Sequence, residues 1–327
     1  MNLALASRNM VLLDALSRAV RALKQAAIEP LILQGAALAE TVYGNIAERA
    51  FADLDLLIHE EEIEKASECL KALGYARAAK EDLMFCRPGR LPVRLDVHYC
   101  VWYLPPAAWE RLWKDSQPFS LAGTAARTLP ADELLIYTAA HAAIQHGALS
   151  PTALEDICRL CHFYQERLSW PALVGKIKQY NLQVPLYHIL AAAKAAKGAR
   201  IPDEALNELK PVALGARLLG AFYRMVWRST PVPQIGHLLQ FISQRGLRGK
   251  MRFVARAFFP PRAFIMRRYN VTNPLVVWFF QLVRPMLQLF ELVKVLIGQI
   301  GNGLPGPGKA PHNAQTAEAN PGGYPVR

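Results

Sequence analysis

A chain of 327 residues that is 52 % apolar can bury a substantial core, which excludes a largely disordered protein. Its formal net charge of +12 is concentrated at one end: residues 1–208 carry 22 Lys/Arg against 24 Asp/Glu, whereas residues 209–327 carry 16 against only Glu291 and Glu318. A solvated surface normally mixes both signs, so this basic part is expected to face something anionic. Five cysteines without framework spacing argue against a disulfide-stapled scaffold and point to a reducing, cytoplasmic setting. The apolar stretch after Asn2 is too short for a signal peptide and has no charged region before it.

In chain order, residues 9–27 fit an amphipathic helix with Val11, Leu12, Leu16, Val20 and Leu23 along one stripe. Residues 30–33 read as a short buried strand ending at Gly35, and 36–42 as a helix. Residues 51–58 form an apolar strand carrying Asp53 and Asp55. A helix over 60–73 has acidic residues in its first turn and Gly74 as its stop. A hairpin follows, with arms at 82–87 and 92–101 around Pro88-Gly89; its second arm puts Arg94, Asp96 and His98 on one face. Beyond Pro130 the pattern is helical to about residue 300, broken by prolines. Residues 301–327, rich in Gly, Pro and Asn, are expected to be disordered. The predicted fold is α+β: a small mixed β-sheet flanked by helices over 1–128, a mostly α-helical domain over 129–300, then the tail.

Side chains two apart on a strand share a face, so Asp53 and Asp55 project together. Two carboxylates at one depth repel unless a cation sits between them, and hard ions such as Mg²⁺ (or Mn²⁺) favour oxygen ligands. Asp96 is a plausible third carboxylate from a neighbouring strand, enough for a two-metal clamp on a phosphoryl centre. Gly35 would let backbone N–H groups approach a phosphate, with the following helix N-terminus favouring its charge.

The runs Leu33-Gln34-Gly35-Ala36-Ala37-Leu38, Arg49-x-x-x-Asp53-Leu54-Asp55-Leu56-Leu57 and Leu95-Asp96-Val97-His98 resemble the uncharacterised bacterial nucleotidyltransferase family. That family lies within the polymerase-beta-like superfamily. The segments Leu70-x-x-Leu73-Gly74-Tyr75 and Leu129-Pro130-x-Asp132-x-Leu134-Leu135 extend the resemblance over roughly residues 10–170. It implies metal-dependent transfer of a nucleoside monophosphate from an NTP to an acceptor hydroxyl. Asp53, Asp55 and Asp96 would be the catalytic, metal-holding residues; Gln34, Gly35, Ala36 and Arg49 would lie on the nucleotide. Two positions depart from the pattern: Ala36 stands where Ser is usual, and Gln34 where relatives often have Lys. Both departures leave open a degenerate relative that acts as a binding or regulatory module.

Other motifs read as structural. His141 and His146 are five apart, which does not stack them on an ordinary helix. Cys158-x-x-Cys161-His162 matches a haem-attachment string, but the surrounding apolar spacing makes both cysteines core residues of a helix. Basic and aromatic residues interleave over 245–269 and lead into an apolar stretch. Together, 245–300 suit an anionic membrane surface at the inner face better than an acidic ligand or nucleic acid.

Overall fold

The computed structural model describes residues 2–78, 83–105, 108–146, 150–217, 220, 233–244, 246–259, 262–269, 271–283 and 286. These form two compact units, one covering Met1–Ala78 and Leu83–Ser243, the other beginning at Gln244. The tail expected over 301–327 lies outside the described residues, as does most of the apolar stretch after 283.

The first unit opens with helix α1 (Leu3–Gln25), whose first turn is capped by the Asn2 side chain accepting from Leu5 N–H. Strand β1 (Leu31–Leu33) passes directly into α2 (Gln34–Thr41), and β2 (Leu54–Leu57) follows. A 3₁₀ turn (Glu60–Glu62) leads into α3 (Ile63–Ala72), which stops at Gly74, φ +83°. Next come β3 (Ala76–Arg77), β4 (Met84–Arg87), β5 (Val93–His98) and α4 (Trp109–Lys114). The hairpin β6 (Gln117–Leu121) and β7 (Thr124–Thr128) completes a seven-stranded mixed sheet of order β3-β4-β5-β2-β1-β7-β6. That sheet is larger than the small one expected, because β7 pairs in parallel with the free edge of β1 and carries β6 with it.

The two faces of the sheet enter different cores. Leu54, Leu56, Leu95 and Val97 pack with α1 and α3, while Leu31, Leu33 and Leu57 pack with the helical layer that follows. That layer contains α5 (Ala131–Ala140), a π-helical turn (His141–His146), α6 (Pro151–Phe163), α7 (Trp170–Gln179), α8 (Gln183–Lys197), α9 (Asp203–Leu209) and α10 (Pro233–Ser243). Alternation along β2 therefore turns Asp55 and Leu57 toward the helices. The second unit has α11 (Gly246–Phe258), α12 (Arg262–Tyr269) and a small core of Phe264, Ile265 and Val277. Among the described residues no helix is long and apolar enough to cross a membrane.

Candidate active site

The carboxylates meet because of strand register. Asp55 in β2 lies beside Asp96 in the parallel β5 and opposite Leu33 at the end of the antiparallel β1. Asp96 and His98 are two residues apart on β5, so they share a face, while Val93, Leu95 and Val97 are buried on the other. Asp53 differs from the expected picture: β2 begins at Leu54, leaving Asp53 exposed in a bend just ahead of the strand. It still lines the same cleft as Asp55, a volume of ≈ 250 Å³ that also touches Gln34, Gly35, His141 and His146.

His98 occupies the centre of this charge. Its Nε2 lies 3.0 Å from Asp55 Oδ1 and 3.7 Å from Asp96 Oδ2. Burial opposes a charge on the ring, but Asp96, Asp55 and Asp53 together outweigh it and push the imidazolium up to about 9. Although Asp53 is exposed at the rim, desolvation where its carboxyl borders the cleft raises it above its usual range, the Asp55 charge adds to this, and His146 and Arg94 pull the other way. A raised histidine contributes stability that is complete below its unfolded value near 6.5. That contribution disappears as pH climbs through about 9. In EDTA, the melting temperature is therefore expected to fall between about pH 6.5 and 9. A His98→Gln protein should lose that slope; an unchanged slope would show that the ion pair does not set it.

The β1–α2 junction forms the opposite wall. Gln34 starts the helix at φ +46°, a left-handed conformation that non-glycine residues seldom adopt and that costs about 1–3 kcal/mol. A Cβ on Gly35 would stand 2.7 Å from Phe51 Cβ, a contact no rotamer change can relieve. Glycine is thus required where the backbone turns past the carboxylate loop. Gly35→Ala is expected to cost about 1–3 kcal/mol through overpacking, readable as a lowered denaturation midpoint. Ala36 is buried in the core beside α1, so it presents backbone rather than side chain to any ligand.

Arg49 lines the same cleft and is also tied to α6. Its Nε and one terminal nitrogen each lie 2.8 Å from the two oxygens of Asp156 on α6, and another nitrogen bonds the Ala50 carbonyl. The Tyr43 hydroxyl donates to Asp156 Oδ1 at 2.6 Å. Behind the same loop, the buried Asn9 amide donates to the carbonyls of Ile46 and Arg49 at 2.6 and 2.8 Å. The segment between α2 and β2 is thereby clamped from α1 on one side and α6 on the other.

His141 and His146 require a correction. They lie in a π-helical turn, whose wider coil and i→i+5 bonding bring residues five apart close together. Their rings meet edge to face with centroids 4.6 Å apart, and both line the cleft. Burial, then His146 and His98, hold His141 well below the usual imidazole range, so it is neutral at physiological pH. Burial also lowers His146, partly offset by Asp53 and Asp55. The cysteines of the haem-like string are core residues of α6, as its spacing indicated: Cys158 and Cys161 are both buried, and Cys158 Sγ bonds the Lys197 carbonyl.

A mixed sheet that sets an obligatory glycine turn against carboxylates on two adjacent parallel strands is the framework of a nucleotidyltransferase. The chain belongs to the uncharacterised nucleotidyltransferase family, whose model matches residues 1–197. No curated protein sequence matches it. Similar solved structures include the antibiotic-resistance factor ANT(2'')-Ia in solution, 13 % identical with a TM-score of 0.38 over 61 % of this chain and 97 % of that one. The crystal structure of the same factor with adenylyl-2''-tobramycin gives 13 % and 0.36 over 56 % and 97 %. An antigenic nucleotidyltransferase-like protein from Paracoccidioides brasiliensis gives 14 % and 0.39 over 62 % and 94 %.

Proposed function

We propose that the protein is a metal-dependent nucleotidyltransferase, moving a nucleoside monophosphate from an NTP to an acceptor hydroxyl with release of pyrophosphate. The observation that carries this reading is the register pairing of Asp55 with Asp96 across parallel strands, with Asp55 lining one cleft together with Asp53 and Gly35. The residues suit a divalent ion: Asp55, Asp96 and His98 each offer a donor atom, all within 4.8 Å of one another. Such an ion would draw charge from the phosphates and favour the departing pyrophosphate. Asp53, Asp55 and Asp96 would hold it, and Gly35 would admit the β/γ phosphates to the α2 backbone. Asp96 takes the proton of the acceptor hydroxyl as its oxygen attacks the α-phosphorus. The new O–P bond forms in line with the bond that breaks to the bridging oxygen of pyrophosphate. Arg49, held by Asp156, keeps the carboxylate loop in place.

The test is binding of each of the four NTPs to the full chain with and without Mg²⁺, wild type beside an Asp53→Asn, Asp55→Asn double variant. Saturable binding that requires both metal and carboxylates supports the transferase. Nucleotide binding indifferent to the two aspartates instead supports a degenerate binding module, the outcome favoured by Ala36 and Gln34.

One observation favours an additional surface role. On α11, Leu247, Met251, Val254 and Phe258 recur at helical spacing, the first three exposed, with Arg248, Arg252 and Arg256 on the opposite side. This is the pattern of a helix lying in an anionic lipid interface. Sedimentation with anionic but not neutral vesicles, lost in a Leu247→Glu, Met251→Glu variant, would support it; equal sedimentation of that variant would remove it.

A further inference from the structure

We infer that His98 is a nitrogen ligand of the metal site, and that the site consequently takes a first-row transition ion, Mn²⁺ in preference to Mg²⁺. The inference deepens the nucleotidyl-transfer reading and rests on its assignment of Asp55 and Asp96 to the metal.

The argument begins with the backbone. Asp55, Asp96 and His98 stand on two paired strands in parallel register, so their Cα positions are fixed by the sheet rather than by a loop. Adjacent corners of an octahedron with metal–ligand bonds of about 2.1 Å lie about 3.0 Å apart. The His98 Nε2 to Asp55 Oδ1 separation is 3.0 Å, and Nε2 to Asp96 Oδ2 is 3.7 Å. All three donor atoms fall within 4.8 Å of one another, close enough for one ion to be reached by small side-chain rotations, the ion taking the place of the Nε2 proton, which is released to solvent. Asp53, exposed in the bend before β2, is not a member of this trio.

The donor set then determines which ion fits. Mg²⁺ favours oxygen and dehydrates reluctantly, so an imidazole corner offers it little. Imidazole is a good ligand for the later divalent ions, whose affinity for a mixed N/O site rises from Mn²⁺ onward. Two carboxylates keep enough hard character for Mn²⁺, and the single imidazole tilts the balance away from Mg²⁺. A carboxylate-only site would show no such tilt.

The test uses the full chain without nucleotide. Pulsed EPR of Mn²⁺ bound to the wild-type protein is expected to show the coupling of a directly bonded imidazole nitrogen. Mn²⁺ should bind at least about tenfold tighter than Mg²⁺ in competition. His98→Ala is expected to remove the nitrogen coupling and weaken Mn²⁺ by about 10–100-fold, the scale of a lost metal-site partner, while Mg²⁺ affinity changes by less than about threefold. The wild-type nitrogen signal needs no variant, so a misfolded His98→Ala protein does not blunt the test. Bound Mn²⁺ without nitrogen coupling, or equal affinity for the two ions, overturns the inference. Nitrogen coupling in a protein that binds no NTP would leave the metal site standing and sink the transferase reading. Metal-dependent NTP binding without nitrogen coupling would do the reverse.

Discussion

Asp55→Asn is expected to lower nucleotidyl transfer by at least 10²–10³-fold, on the order of what removing one preorganised charge-stabilising group costs an active site. Asp55 is the only carboxylate of the three that is itself buried, register-paired with Asp96 and hydrogen-bonded to His98. The substitution keeps the side-chain volume and removes a like charge beside Asp53, but it also removes the partner of His98, so the metal-free protein should melt lower than wild type at neutral pH and no lower above about pH 9. It also removes two of the influences that raise His98, whose midpoint, followed by NMR of the imidazole, should drop from about 9 toward the ordinary range. Because the stability difference is expected to vanish once His98 is neutral, a loss of both activity and stability that persists above about pH 9 would show that Asp55 is a structural residue. Asp53→Asn, at the exposed rim, should lower transfer less.

The second large effect lies away from the carboxylates. Asp156→Ala is expected to destabilise the first unit by about 3–5 kcal/mol, because it strands the charge of Arg49 in a nearly dry setting. Side-chain exposures of 13 % for Arg49 and 4 % for Asp156 exclude strong solvent screening of the pair. For a unit of this size such a loss lowers the melting temperature by on the order of 10 °C. Tyr43→Phe removes only the hydroxyl donor and should cost about 1–2 kcal/mol. Replacing Arg49 and Asp156 together by Met and Leu should cost clearly less than Asp156→Ala alone, since no charge is left unpaired. A thermal or urea series on these variants checks all three; equal losses for the single and paired changes would mean packing, not charge, holds the clamp.

The carboxylate strands were readable because alternation is strict where one face is buried. Val93, Leu95 and Val97 against Arg94, Asp96 and His98 announced a half-buried strand, and its neighbour carried the Asp53–Asp55 pair. The extent of β2 was less legible: Phe51 is buried without being in the strand, so an apolar residue ahead of Asp53 suggested pairing that the backbone does not make. The β6–β7 hairpin is poorly legible in the sequence because Gln117–Leu121 is half exposed and contains Pro118. Its signal was the turn Ala122-Gly123, with φ of +45° and +78°, the conformation of a two-residue hairpin loop. His141 and His146 were missed for a geometric reason, since a 3.6-residue period cannot align positions five apart and a π-turn leaves no plain mark in composition. Asn9 and Asp156 left a fainter trace, each a polar residue on the apolar face of a helix, where a buried partner must exist.

The order of strands also governs when the site can come into being during synthesis. β2, its Asp55 included, emerges well before β5 brings Asp96 and His98, and β1 keeps one unpaired edge until Thr124–Thr128 has been made. A nascent chain of roughly a hundred residues therefore displays an apolar strand with free N–H and C=O groups, the kind of edge that recruits other chains. Closing that edge requires contacts between segments almost a hundred positions apart, which slows folding. The parallel pairing of β1 with β7, made last, thus leaves the young polypeptide with an open strand edge beside the carboxylate strand until the seventh strand is in place.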